Sequence, residues 1–279
     1  MPTIRTWSAT IRLDGQCMRA FVFASILSAL LASGAGAAAP RRVASLNLCT
    51  DELLLMLAAP GHIASVTHLS QNKAETPLWR LGRQHRKNDG SLLSVVGLAP
   101  DLVLTMGGGA RDRTRIAQRL GIRTLDLPFP EGVSDIERSI SLVGTALGQK
   151  ARAEALLSEI TALKRSRPSA PLDTIWLGGG GRSVAANGLA GEWMLLAGFR
   201  QRALRGDRVS LEQMLVSPPH ILLRSDYRSG QYSGEQRWLA HPLAKARKSR
   251  TIVTDGRRWT CMGPAMIGEI RRLKQVLQP

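Results

Sequence analysis

A chain of 279 residues, 44% of them hydrophobic, is long enough for one large domain or two small ones and too apolar to be disordered. Its formal charge of +17 favours anionic partners. A nucleic-acid binder concentrates its basic residues on a recognition module. Here the arginines are scattered and aromatic residues make up 4%, so that class is set aside in favour of a solvated basic surface.

The first 37 residues read as an export leader, with Met18 as an alternative start. Arg19 precedes an apolar run from Ala20 to about Leu31, and Ala35-Gly36-Ala37 fits an A-x-A cleavage site. The run falls short of the ~20 apolar residues a membrane span needs. Cys17 follows no lipobox-like sequence, which argues against a lipid anchor there. The expectation is an exported, soluble chain beginning near Ala38. Cleavage would remove three arginines and one aspartate, leaving +15 of the +17.

From 38 to 133 the pattern is strand, helix, strand, repeated. Val43 to Leu46 reads as a strand. Thr50 is placed to cap a helix with Asp51 and Glu52 in its first turn and Leu53, Leu54 and Leu57 on its buried stripe. Pro60-Gly61 ends it and Ile63 to Val66 is the next strand. Residues 71–90 read as polar and irregular. A helix over Leu92–Leu98, a strand over Leu102–Leu104, a glycine run, a helix around Ile116 and Leu120, and a strand over Ile122–Leu125 follow. Strands alternating with helices imply a parallel α/β sheet.

Residues 134–167 form a helical connector. Ser134 with Glu137 has the spacing of a capping box, and Gly148 interrupts the helical pattern, which resumes over 149–167. Residues 168–279 then restart the α/β pattern with strand Thr174–Leu177, Gly178–Gly181, a helix near Trp193–Ala197, and strand "SRTIVTDG".

Two stretches repeat in outline. "SLLSVVGLAPDLVL" (91–104) and "SLEQMLVSPPHILL" (210–223) each run from an amphipathic helix through proline into an apolar strand. One later strand is also echoed, "IRTLDLP" by "SRTIVTDG", in the same order. This implies a duplicated lobe. The fold class is therefore α/β: two lobes of parallel sheet flanked by helices, joined by one long backbone helix, with a ligand cleft between them at the carboxyl ends of the strands. Two cysteines remain in the mature chain, Cys49 and Cys261, at its opposite ends. Either they form a disulfide or they are two free thiols.

The order of "RVASLN", "TDELLL", "LAPDLVL", the central helix, "SLEQMLVSPPHILL" and "DGRRWTCMGP" resembles the helical-backbone (class III) periplasmic binding proteins of ABC importers. Those capture cobalamin, ferric siderophores or haem. The resemblance covers about 42–277. It implies a rigid two-lobed monomer that takes a metal chelate or corrinoid and docks on an inner-membrane permease. It also implies one docking carboxylate per lobe, at the helix before the proline corner. Glu212 stands at that position in the second lobe, but the first has Leu93, with Asp89 or Asp112 as substitutes. The plain alternative for Glu212 is a solvated surface acid.

Ligand contacts are expected on loops after strands. In the first lobe these are Asn47, Cys49, His68, Met106, Gly107 and Gly108; in the second they are Gly180, Arg182, Tyr227, Arg258 and Trp259. Glycines allow close backbone approach, Trp259 offers a flat face, and the arginines suit carboxylate or catecholate oxygens. A core position for Trp259 and surface positions for the arginines are the alternatives. The five histidines lack paired metal spacing, so a bare Zn or Mn receptor ranks second. An exported α/β hydrolase ranks third, without a G-x-S-x-G or a visible nucleophile–base pair. No catalytic residue, resident metal or cofactor is assigned.

Overall fold

The computed structural model describes residues 38–107, 111–227, 242 and 249–277, with the backbone alone at 111–113 and 211. The expected leader lies outside the described residues. Val43–Ser45 (β1) leads into helix Leu48–Leu57 (α1) and strand Ile63–Thr67 (β2). Short helix Trp79–Gly82 (α2), strand Lys87–Asn88 (β3) and helix Leu93–Val96 (α3) follow. Then come strand Leu102–Met106 (β4), helix Arg111–Arg119 (α4) and strand Arg123–Leu127 (β5). These strands form one parallel sheet in the order β3-β2-β1-β4-β5.

Helices Val133–Ala146 (α5) and Lys150–Arg165 (α6) connect the sheets. Gly148, at φ +67°, makes the break between them. They pack antiparallel: a Cβ on Gly144 would lie 2.4 Å from the Cβ of Ala153, and Lys164 pairs with Glu137 at 2.6 Å. The 16 residues of α6 span about 24 Å and carry the chain to the second sheet.

That sheet uses Leu172–Leu177 (β6), Phe199–Gln201 (β7), Ile221–Asp226 (β8) and Arg250–Asp255 (β9), again parallel, in the order β7-β6-β8-β9. Its helices are Leu189–Ala197 (α7), Leu211–Val216 (α8), Arg258–Cys261 (α9) and Met266–Leu277 (α10). Matching β1, β2, β4 and β5 with β6, β7, β8 and β9 superimposes the two orders, apart from the additional edge strand β3. The repeated corner, α3 into β4 and α8 into β8, takes the same place in both sheets.

Two local expectations are corrected. Thr50 does not cap α1; Asn47 does, its Oδ1 accepting from the Cys49 N–H at 2.8 Å, while Thr50 is buried against Ser45. Ser134 and Glu137 form no capping box. Asp135 accepts from the Gly132 N–H at 3.2 Å instead, because the helix begins two residues earlier than a Ser134 cap requires. Ile116 and Leu120 are half exposed, and Ala117 carries the buried face of α4.

One apolar core runs through both sheets and the connector. Leu54, Leu57, Leu104 and Leu127 of the first lobe, Ile140 and Ile160 of the connector, and Trp193, Phe199, Leu223 and Ile270 of the second lobe belong to this one cluster. Each fully buried side chain of this size contributes about 1.5–3 kcal/mol.

Candidate functional site

Two groups of residues decide how the lobes meet. The first is a seam. Cys49, in the first turn of α1, is disulfide-bonded to Cys261 at the end of α9, 212 positions away. One turn further along α1, Glu52 is 5% exposed, and its Oε1 accepts from the Ala265 N–H at 2.9 Å. Gly263 makes room for it: a Cβ there would sit 2.5 Å from Oε1. From the other lobe, Glu192 on α7 accepts from the Val133 N–H at 2.7 Å, completing the N-terminus of α5.

Burial pushes the Glu52 carboxyl up to about 7, although the Ala265 N–H and the Arg258 charge oppose it. Beside it Asp51 is fully buried. It accepts from the Thr67 N–H and hydroxyl and from the Ser70 hydroxyl. Burial raises it to about 6 against those hydrogen bonds. The two first-turn acids are therefore buried, one tying α1 to its own lobe and one to the other.

The second group is the set of loops at the carboxyl ends of the strands. His68 follows β2 and is exposed. Met106 and Gly107 close β4, both half-buried. Gly107 adopts φ +101°, and a Cβ there would collide with the Phe129 ring at 2.6 Å. Phe129 itself follows β5 and is 67% exposed, a contact surface that the sequence reading missed. Its signal was present in Pro128-Phe129-Pro130, an aromatic held between two prolines directly after a strand. Gly108 lies outside the described residues.

In the second lobe, Gly180 adopts φ +62° in the turn after β6, and Arg182 beside it is exposed. Arg182 bridges the backbone of Arg208, whose guanidinium donates to the Gly180 carbonyl at 3.2 Å. These two arginines edge the same turn.

The remaining expected contacts have other partners. The Asn47 side chain caps α1 and Cys49 is in the disulfide. Trp259 is 6% exposed, donates from Nε1 to Thr254 at 2.8 Å, and leans against Trp176 with ring centroids 5.9 Å apart. It is a core residue, because the strand-to-α9 turn points its ring inward. Arg258 donates to the Ala265 carbonyl at 2.5 Å and lies 3.8 Å from the carboxylates of Asp255 and Glu269. That binds its charge internally. Tyr227 donates its hydroxyl to Glu75 of the first lobe at 2.7 Å, and Arg257 donates to the Lys73 carbonyl at 2.8 Å. The 71–77 loop thus touches the second lobe across the strand ends. Trp79, just beyond it, is flanked by Arg80 and Arg83, each about 5 Å from its ring centre (4.9 and 4.8 Å).

At the repeated corners Glu212 is exposed near the start of α8, behind the Ser210–Gln213 capping box. Leu93 is 85% exposed at the matching place. Asp89 is exposed too, and hydrogen bonds from the Ser91 side chain and backbone pull its carboxyl down to about 2. The side chain of Asp112 lies outside the described residues. Among the described residues no three His, Cys, Asp or Glu converge as a metal donor set, and no helix is long and apolar enough to cross a membrane.

Comparison with known proteins agrees with this architecture. No curated protein sequence matches significantly. Among solved structures, the periplasmic heme-binding protein HutB of Vibrio cholerae superimposes with a TM-score of 0.66 at 18% identity, covering 85% of this chain and 99% of that one. A periplasmic heme-binding protein of Pseudomonas aeruginosa gives 0.60 at 18% identity, over 85% and 92%. The periplasmic vitamin B12-binding protein BtuF of Vibrio cholerae gives 0.59 at 17%, over 85% and 96%. The family model described as periplasmic binding protein matches residues 43–257. With two parallel sheets joined through a connecting helix and that match across most of its length, the chain belongs to the periplasmic binding protein family, in its helical-backbone form.

Proposed function

We propose that the chain is a periplasmic receptor. It captures an iron chelate of haem or ferric-siderophore type, or cobalamin, between its lobes and delivers it to an ABC importer permease. Its work is equilibrium binding and docking, with no bond made or broken. The observation that supports this most is the contrast between a buried, covalently closed seam and exposed loops at the strand ends, where α/β sheets take ligands. His68, Met106, Gly107, Gly180 and Arg182 line the proposed cleft, with Phe129 as its exposed aromatic face. The cationic lips at Arg182 and Arg208 suit a ligand carrying carboxylates or catecholate oxygens. A bare Zn or Mn ion finds no donor set to favour it among the described residues.

Titration of the purified protein with haem, cobalamin and a panel of ferric siderophores, followed by tryptophan fluorescence, tests the reading. Saturable quenching by one of them is expected. No binding to any, together with turnover of a model ester, would sink it. For docking, Glu212→Ala is expected to reduce uptake in cells and leave ligand affinity unchanged; a fall in affinity would place Glu212 in the cleft or the fold instead.

A further inference from the structure

The opposite end of the first sheet carries a separate feature. Every segment that enters strands β1 to β4 contributes to one open cavity of about 610 Å³, bordered by residues just before or at the start of those strands. Its polar wall is Arg41, Arg42, Gln84, His85 and Arg86, and no aspartate or glutamate lines it. Asp101, the carboxylate beside it, is taken up by the Arg41 and Arg42 backbone N–H groups at 2.7 and 3.1 Å. Arg42 is anchored, its Nε donating to the Leu98 carbonyl at 2.9 Å. The guanidinium groups of Arg41 and Arg86 have no hydrogen-bond or ion-pair partner among the described residues.

We propose that this cavity is an oxyanion site that takes the phosphate group of a small phosphate ester. Two unpaired guanidinium forks beside a third that is held in place match the bidentate geometry of phosphate oxygens. Burial lowers the His85 pKa, so its imidazole stands as a neutral hydrogen-bonding group at the rim. The volume lies within the ~300–1,000 Å³ of small-molecule sites, larger than one phosphate needs, so the phosphate group arrives on a body. Pro60, Ile63 and Leu98 give that body an apolar wall. A soluble phosphomonoester and a phospholipid headgroup share this chemistry. The site lies at the amino ends of the strands and is independent of the ligand proposed for the cleft.

Calorimetric titration with glycerol 3-phosphate, with glycerol as the control, tests the proposal in low-salt buffer. A parallel sedimentation assay uses phosphatidylglycerol and phosphatidylcholine vesicles. Two variants separate a built site from diffuse charge. Arg41→Ala with Arg86→Ala removes the unpaired charge from exposed positions. Gly97→Leu fills the cavity and leaves every charge in place; Gly97 has φ −65° and a Cβ there meets nothing within 4 Å, so the fold accepts it. Binding of glycerol 3-phosphate that falls at least tenfold in both variants supports a site for a soluble ligand. Binding to phosphatidylglycerol vesicles alone, lost in both variants, supports the same site with a lipid source. Binding to neither probe overturns the proposal, as does weakening by the arginine replacements that Gly97→Leu does not reproduce.

Discussion

The seam between the lobes and the loops at the strand ends are built from opposite materials. At the seam, Glu52 and Glu192 each accept a backbone N–H from the facing segment, and a disulfide closes the chain across both lobes. At the loops, Phe129, His68 and Arg182 stand exposed, and glycines at positive φ hold the turns. Stability and recognition are thus kept apart: seam changes should unfold the protein, and loop changes should alter what it binds.

The largest effect belongs to the disulfide. Replacing Cys49 and Cys261 by serine frees a loop with a sequence separation of 212, worth about 5 kcal/mol on the chain-entropy model. The melting temperature should drop by roughly 10–20 °C on calorimetry. Next is Glu52→Ala, which strands the Ala265 N–H and opens a hole, costing about 3 kcal/mol in denaturant unfolding.

Glu52→Gln keeps an acceptor and changes the pH response. The folded carboxyl titrates near 7, above the ordinary 4.5, so the native state holds a proton that the unfolded chain has lost. Stability is therefore full below about pH 4.5 and falls as pH rises towards 7. The fall amounts to about 3 kcal/mol at ~1.4 kcal/mol per pH unit. Asp51, raised from 3.8 to about 6, adds a decline of the same sign over its own window. Urea melts at a series of pH values should show the wild-type slope and a shallower one in Glu52→Gln. Equal slopes would remove Glu52 as the cause. Smaller again is Tyr227→Phe, which removes the contact with Glu75 and should cost about 1 kcal/mol. At the loops, Arg182→Ala should change stability by less than ~0.5 kcal/mol, because the side chain is exposed.

The duplicated corner, the strand alternation and the break at Gly148 were legible because each rests on local chemistry: periodicity, proline and glycine. β3 and β7, of two and three residues, were not, since so short a run carries no period. α10 was legible but unread; Met266, Ile267, Ile270 and Leu273 have helical spacing and are all buried. The burial of Asp51 and Glu52 could not be read locally. First-turn acids look alike whether they face water or another lobe, and the deciding partners, Thr67 and Ala265, lie 16 and 213 positions away. The burial of Trp259 and the internal partners of Arg258 were illegible for the same reason: a residue after a strand faces cleft or core according to a turn that only the folded chain defines. Phe129 was overlooked in the opposite direction, an exposed aromatic between the end of β5 and the start of α5.

The most direct test of the account compares two proteins in one ligand titration: the wild type and Arg182→Ala with Arg208→Ala. The chelate or corrinoid that quenches the wild type serves as ligand, and melting temperatures are recorded alongside. The account predicts at least roughly tenfold weaker binding, a loss of ~1.4 kcal/mol or more, with melting unchanged. Unaltered affinity in the double variant would contradict the placement of the ligand at the strand-end loops of the second lobe.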